Sequence, residues 1–145
     1  MKFWDSSALM PLLIREKTSQ LLRQLLADDS SFLFVWWGSE LECVSALARR
    51  ERDSTLDTHA FSLALARLRQ LAEVWHEIDP SDAVRETALR LIRVHSLRSA
   101  DSLQLAAAFM AAEQRPRSFP MVTLDSRLAN AARKEGFDVI GSTAE

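Results

Sequence analysis

Four acidic residues, Asp5, Glu42, Asp101 and Asp125, stand where the pattern of the chain offers oxygen ligands to a common crevice. Asp5 follows the short apolar segment at residues 2–4, and Asp125 follows the one at 120–124. Each closes a strand-like segment at its turn into a helix-like one. In open α/β sheets, ligands bind beyond the carboxyl ends of the strands. Asp101 falls in the first turn of a helix opened by Ser99, and Glu42 in the first turn of a helix starting near Ser39. The positive end of a helix dipole favours the ionised carboxylate there. Four ionised carboxylates in one crevice repel strongly at low dielectric. One or two Mg²⁺ or Mn²⁺ ions, hard cations suited to carboxylate and water ligands, would relieve that repulsion.

Each acid also has a purely local explanation. Asp5 and Asp125 are both placed to cap the helix that follows. Ser39-Glu40-Leu41-Glu42 matches the S-x-x-E capping box. Asp101 complements a helix dipole like any acid in a first turn. The case for a site therefore rests on the four acids being placed together.

The elements that must position them alternate. Residues 2–4, 32–36, 74–78, 120–124 and 138–140 read as short strands. Residues 32–36, Phe-Leu-Phe-Val-Trp, are apolar on both sides, as in a parallel sheet covered on both faces. Helical patterns occupy 7–14, 18–27, 39–52, 56–74, 81–95, 99–114 and 126–135, with Pro11 accommodated in the first turn of the first. Residues 28–31 read as a turn, and 114–119 as the loosest connection. The alternation predicts one α/β domain over residues 1–145, with a mainly parallel central sheet.

Composition narrows the chemistry. The 145 residues are 48% hydrophobic and 26% charged, an ordinary globular balance. The three glycines, Gly38, Gly136 and Gly141, stand too far apart for a glycine-rich phosphate loop. The single cysteine, Cys43, excludes an internal disulfide and a cysteine-based zinc site. The net charge of −2 argues against gripping nucleic acid by bulk positive charge, yet 15 of the 18 basic residues are Arg, suited to bidentate phosphate contact. No apolar run is long enough to span a bilayer, and Met1–Asp5 lacks the features of a signal peptide, so a cytoplasmic location is expected.

Four segments together resemble the PIN-domain ribonucleases, and specifically the VapC toxins of bacterial type II toxin–antitoxin pairs. They are Phe3-Trp4-Asp5-Ser6-Ser7-Ala8-Leu9, Glu42-Cys43-Val44-Ser45-Ala46-Leu47-Ala48-Arg49, Leu97-Arg98-Ser99-Ala100-Asp101-Ser102-Leu103-Gln104-Leu105-Ala106, and Val122-Thr123-Leu124-Asp125-Ser126-Arg127-Leu128-Ala129. Their order and spacing cover nearly the whole chain. Between Glu40 and Glu42, the Ser-Ala-Leu-x-Arg context that follows selects Glu42 by resemblance; physics alone does not separate them.

The resemblance implies a PIN-like three-layer α/β/α sandwich and metal-dependent hydrolysis of RNA phosphodiester bonds, leaving a 3′-hydroxyl and a 5′-phosphate. It implies Asp5 and Asp101 as core metal ligands, completed by Glu42 and Asp125, with Ser6 or Thr123 holding a ligand or water. Arg49, Arg98 and Arg127 are candidate RNA contacts, weighed against a solvated helix face. His59, His76 and His95 have no metal-ligand spacing. Trp36 and Trp37 suit core or dimer packing better than stacking on a base. Implied partners are RNA, a cognate antitoxin and a second copy of the chain, with the apolar helices at 7–14 and 56–74 as candidate docking surfaces. Two other classes compete: a receiver-like phosphoacceptor domain, which lacks its paired acid beside Asp5, and a catalytically silent protein-binding module.

Overall fold

The computed structural model describes residues 1–28 and 33–142. Its strands are β1 (Lys2–Trp4), β2 (Leu33–Trp36), β3 (His76–Ile78), β4 (Met121–Val122) and β5 (Val139–Ile140). Among the described residues they form one wholly parallel sheet in the order β3-β2-β1-β4-β5. The helices are α1 (Ser6–Leu13), α2 (Ser19–Asp28), α3 (Ser39–Arg52), α4 (Thr58–Val74), α5 (Asp82–Val94), α6 (Ser99–Ala111) and α7 (Ser126–Lys134).

Strand alternation divides the core into two halves. Trp4, Leu33, Val35 and Val122 point to one face and pack with Leu9, Leu22, Leu47 and Leu68 from α1–α4. Phe3, Trp36 and Met121 point to the other and pack with Leu91, Leu105, Phe109 and Leu128 from α5–α7. Both faces are thus covered, as a parallel sheet requires, and the result is the expected α/β/α sandwich.

The strand order locates the crevice. The connections β1 to β2 and β2 to β3 step in one direction. The β3–β4 connection then returns past β1 and places β4 on its other side. The carboxyl ends of β1 and β4 flank the point of reversal, where such sheets bind ligands. Register brings Trp4 opposite Val122, so Asp5 and Thr123 follow as neighbours.

Several boundaries differ from expectation for physical reasons. Helix α1 begins at Ser6, so Pro11 lies beyond its first turn. The missing N–H removes a bond to the Ser7 carbonyl, and the helix ends two residues later. Helix α4 runs through Val74, and Trp75 turns the chain before β3. Strand β4 is shorter than the apolar run at 120–124 that contains it. The segment expected to be loosest contains one turn of 3₁₀-helix, Pro116–Ser118, and anchors the buried Phe119 edge-on to Phe34 at 5.2 Å. Phe32 and most of the expected turn at 28–31 lie outside the described residues. The proposed docking face on 7–14 is overturned: residues 8–14 are all buried within the chain. No helix among the described residues is long and apolar enough to cross a membrane.

Candidate active site

Asp5 is 3% exposed at the end of β1. It caps α1, its Oδ2 accepting from the Ser7 backbone N–H at 3.3 Å, but capping is the smaller part of its surroundings. The same oxygen accepts from the Ser7 hydroxyl and, at 2.8 Å, from the Thr123 hydroxyl. Ser7 Oγ in turn accepts from the Leu124 N–H at 2.9 Å, and Thr123 Oγ1 accepts from the Asp125 N–H at 3.1 Å. These bonds lock the ends of β1 and β4 together around one carboxylate.

Glu42 overturns the capping-box expectation. The N-cap of α3 is Gly38, with no side-chain cap. Ser39 Oγ accepts from Gln104 Nε2 at 3.1 Å. The Glu42 carboxylate turns into the site, accepting from Ser6 Oγ at 3.1 Å and from Gln104 Nε2 at 2.9 Å. Glu40 is exposed, so the geometry separates the two glutamates where sequence physics did not.

Gln104 was not anticipated. It is fully buried on α6, and its Oε1 has no hydrogen-bond partner. Turning the amide over would aim that carbonyl at the Glu42 carboxylate, so the orientation is dictated by the acid. The signal was present in the sequence: Gln104 is the lone polar residue in residues 103–112 and lies three positions after Asp101, on the same helix face. Ser7 does more than Ser6 to fix Asp5, although both belong to the same motif.

Asp101 and Asp125 open onto solvent. With Arg98, Ala100, Ser126 and Arg127 they line a cavity of about 410 Å³. Asp125 caps α7 through the Leu128 N–H at 3.0 Å. Arg49 is not brought to this cavity. It sits in the last turn of α3, seven residues or about 10 Å of helix rise beyond Glu42. Its neighbour Arg50 pairs with Glu16 at 2.7 Å.

The four acids are electrostatically coupled. Burial pushes the Asp5 carboxyl above its ordinary range, and Asp101 adds repulsion against the pull of Ser7 and Thr123. Burial raises Glu42 also, with repulsion from Asp5 and Asp101. Asp101 is raised by burial and then by Asp125, while the Arg98 and Arg127 charges pull it down. Cys43, buried behind Glu42, is pushed up to about 12 by burial and the acids, which leaves it an inert thiol.

Among the described residues, no three His, Cys, Asp or Glu side chains close into a ready-made metal group. The donor chemistry nonetheless fits a hard divalent cation. The acids supply only oxygens and repel one another across one crevice, and each keeps lone pairs that no protein donor occupies. The histidines lie elsewhere: His76 stacks on Phe34 at 4.9 Å, and His95 bonds Glu135 at 2.7 Å. Trp36 is core, as expected, whereas Trp37 is 56% exposed.

No protein-family model and no curated protein matches the sequence. Solved structures match the fold. FitAcB of Neisseria gonorrhoeae aligns with a TM-score of 0.68 at 15% identity, over 96% of this chain and 96% of that one. VapC20 of Mycobacterium tuberculosis, a toxin that cleaves the sarcin–ricin loop, aligns at 0.67 and 16% identity, over 94% and 96%. A toxin–antitoxin complex from Klebsiella pneumoniae aligns at 0.60 and 14% identity, over 88% of each chain. The chain has the PIN-like α/β/α fold expected from its motifs. Its strand order departs from the 2-1-3-4-5 order of receiver domains, so the chain does not have the receiver fold.

Proposed function

We propose that the chain is a metal-dependent endoribonuclease and the toxin of a type II toxin–antitoxin pair. The observation that carries this reading is the gathering of four carboxylates around the β1/β4 reversal point: Thr123 on Asp5, Ser6 between Asp5 and Glu42, and Asp101 with Asp125 in one cavity bordered by Arg98 and Arg127. The likeness to a solved toxin and to a toxin–antitoxin complex, over 94% and 88% of this chain, supports it at the level of fold.

In this reading Asp5, Glu42, Asp101 and Asp125 hold one or two Mg²⁺ or Mn²⁺ ions. The ion supplies an activated water and a charge that offsets the phosphate. Thr123 and Ser7 fix the inner carboxylate of Asp5, while Ser6 and Gln104 fix Glu42, so neither acid has to reorganise as substrate arrives. Arg98 and Arg127 hold the phosphate oxygens at the rim with charge-assisted hydrogen bonds. In this reading the antitoxin covers the crevice, and the exposed Trp37 and Leu41, which precede Glu42 in the chain, offer it apolar surface. A homodimer and a cytoplasmic location complete the assignment.

The test is to sequence RNA ends after brief expression of wild type and of Asp101→Asn, and to repeat the cleavage with purified protein in Mg²⁺ and in EDTA. Cuts are expected only from wild type with the metal present. Undiminished cutting by both Asp5→Ala and Asp101→Ala overturns the site; the absence of any cutting by wild type overturns the nuclease reading and favours a silent binding module.

A further inference from the structure

A second polar cavity, of about 700 Å³, lies at the other end of α1, where the chain turns into α2. Arg15, Lys17, Arg23 and Arg67 line it, against a single acid, Glu16. Glu16 is shared with Arg50 at 2.7 Å, so the four lining cations outnumber the one lining carboxylate and the cavity keeps a net positive charge. Arg67 is held in place: its guanidinium donates to the Leu13 carbonyl at 2.8 Å. Ser19 fixes the turn, its hydroxyl donating to the Ile14 carbonyl at 3.1 Å and accepting from the Glu16 N–H at 2.8 Å. The first turn of the ten-residue α2 opens at this cavity and carries no acid, so its positive pole adds to the four side chains. Nothing in the reading of the acidic crevice uses these residues.

We propose that this cavity is a second phosphate-binding site, separate from the acidic crevice. The ligand chemistry is a phosphate oxyanion: planar guanidinium groups, a helix N-terminus and an excess of cations over the single Glu16 carboxylate suit phosphate oxygens and leave a neutral ligand with nothing to balance the charge. Because Asp5 caps one end of the eight-residue α1 and Arg15 lies just past the other, roughly 12 Å of helix rise separates the two sites. The phosphate comes from the RNA backbone, away from the scissile bond; this source rests on the nuclease reading, whereas the site itself does not. The end of α3 also reaches this side, where Arg50 pairs with the lining Glu16.

The experiment titrates ¹⁵N-labelled Asp101→Asn protein with inorganic phosphate and, separately, with a single-stranded RNA oligonucleotide, following the backbone amides of residues 15–24 and the Arg67 side chain. The triple variant Arg15→Ala, Lys17→Ala, Arg23→Ala removes three exposed cations and leaves the Arg67 anchor intact. Both probes are expected to shift these signals, and the triple variant to lose the shifts. For RNA it is expected to flatten the salt dependence of log affinity by about 2, the value for three phosphate contacts to a single strand. Shifts with phosphate alone support the site but assign it to a free phosphate rather than RNA. Shifts with RNA alone assign it to the backbone. No shift with either probe, or shifts and salt slope unchanged in the triple variant, overturns the proposal. Loss of nuclease activity in the wild-type protein would leave the phosphate titration standing, so the two readings fail separately.

Discussion

Gln104 holds Glu42 by donating to it and keeps a buried carbonyl without a partner. An unsatisfied buried acceptor costs about 1–3 kcal/mol. Gln104→Leu removes that acceptor but also takes the donor from the buried Ser39 hydroxyl and from Glu42, so the two effects offset: the melting temperature is expected to change little and RNA cleavage to fall at least tenfold. A parallel fall in both, measured by melting and by initial rates, would make Gln104 a packing residue. The raised carboxyls make a second prediction at this scale. Asp5, Glu42 and Asp101 bind protons more tightly in the folded than in the unfolded chain. Their contribution to stability is therefore present below the ordinary carboxylate values of 3.8 and 4.5 and is lost as pH rises above them. In EDTA the melting temperature of wild type should fall relative to Asp101→Asn as pH rises from about 4 to about 8, and Mg²⁺ should restore it by binding the folded state. Equal pH profiles for the two proteins, with no response to Mg²⁺, would remove the cation from this site.

At the scale of elements, the apolar and polar periods carried most of the architecture. Each expected strand and helix has a counterpart, and the four acids stand at the expected turns. The differences have local causes: a proline past the first turn shortens α1, and a buried phenylalanine pins the connection after α6. What the sequence could not reveal is which of two partners a polar side chain takes. Ser39 and Glu42 fit a capping box, and only the approach of α6 turns them toward Gln104 and the site. Asp125 and Asp5 do cap their helices, so the bland explanation and the functional one hold together. Gly141 gives this scale its own prediction. Its φ is +105°, and a Cβ there would stand 2.9 Å from the Thr123 carbonyl oxygen. Gly141→Ala should cost more than about 1 kcal/mol in chemical denaturation, because the backbone conformation and the close approach both exclude a side chain. It should weaken cleavage too, since Thr123 N bonds Ile140 O at 3.0 Å and that pairing holds the hydroxyl on Asp5.

For the molecule as a whole, the net charge of −2 conceals its distribution. Setting aside Asp5, Glu42, Asp101 and Asp125 leaves a chain of net +2, with arginines at the crevice rim and four cations around the cavity behind α1. A near-neutral total is thus compatible with an RNA ligand, and affinity should fall steeply with added salt when measured on Asp101→Asn. The bond between Thr123 and Asp5 spans 118 positions, and the contact between Ser7 and Thr123 spans 116. A fragment ending at residue 115 lacks β4 and is expected to show no cooperative melting in calorimetry. The same separation sets a schedule during synthesis. Asp5 and Glu42 emerge early, but the pairing that locks Asp5 waits until the last strands leave the ribosome and close a long loop. An acidic site built this way stays unassembled on the ribosome until the segment holding β4 and β5 has been made.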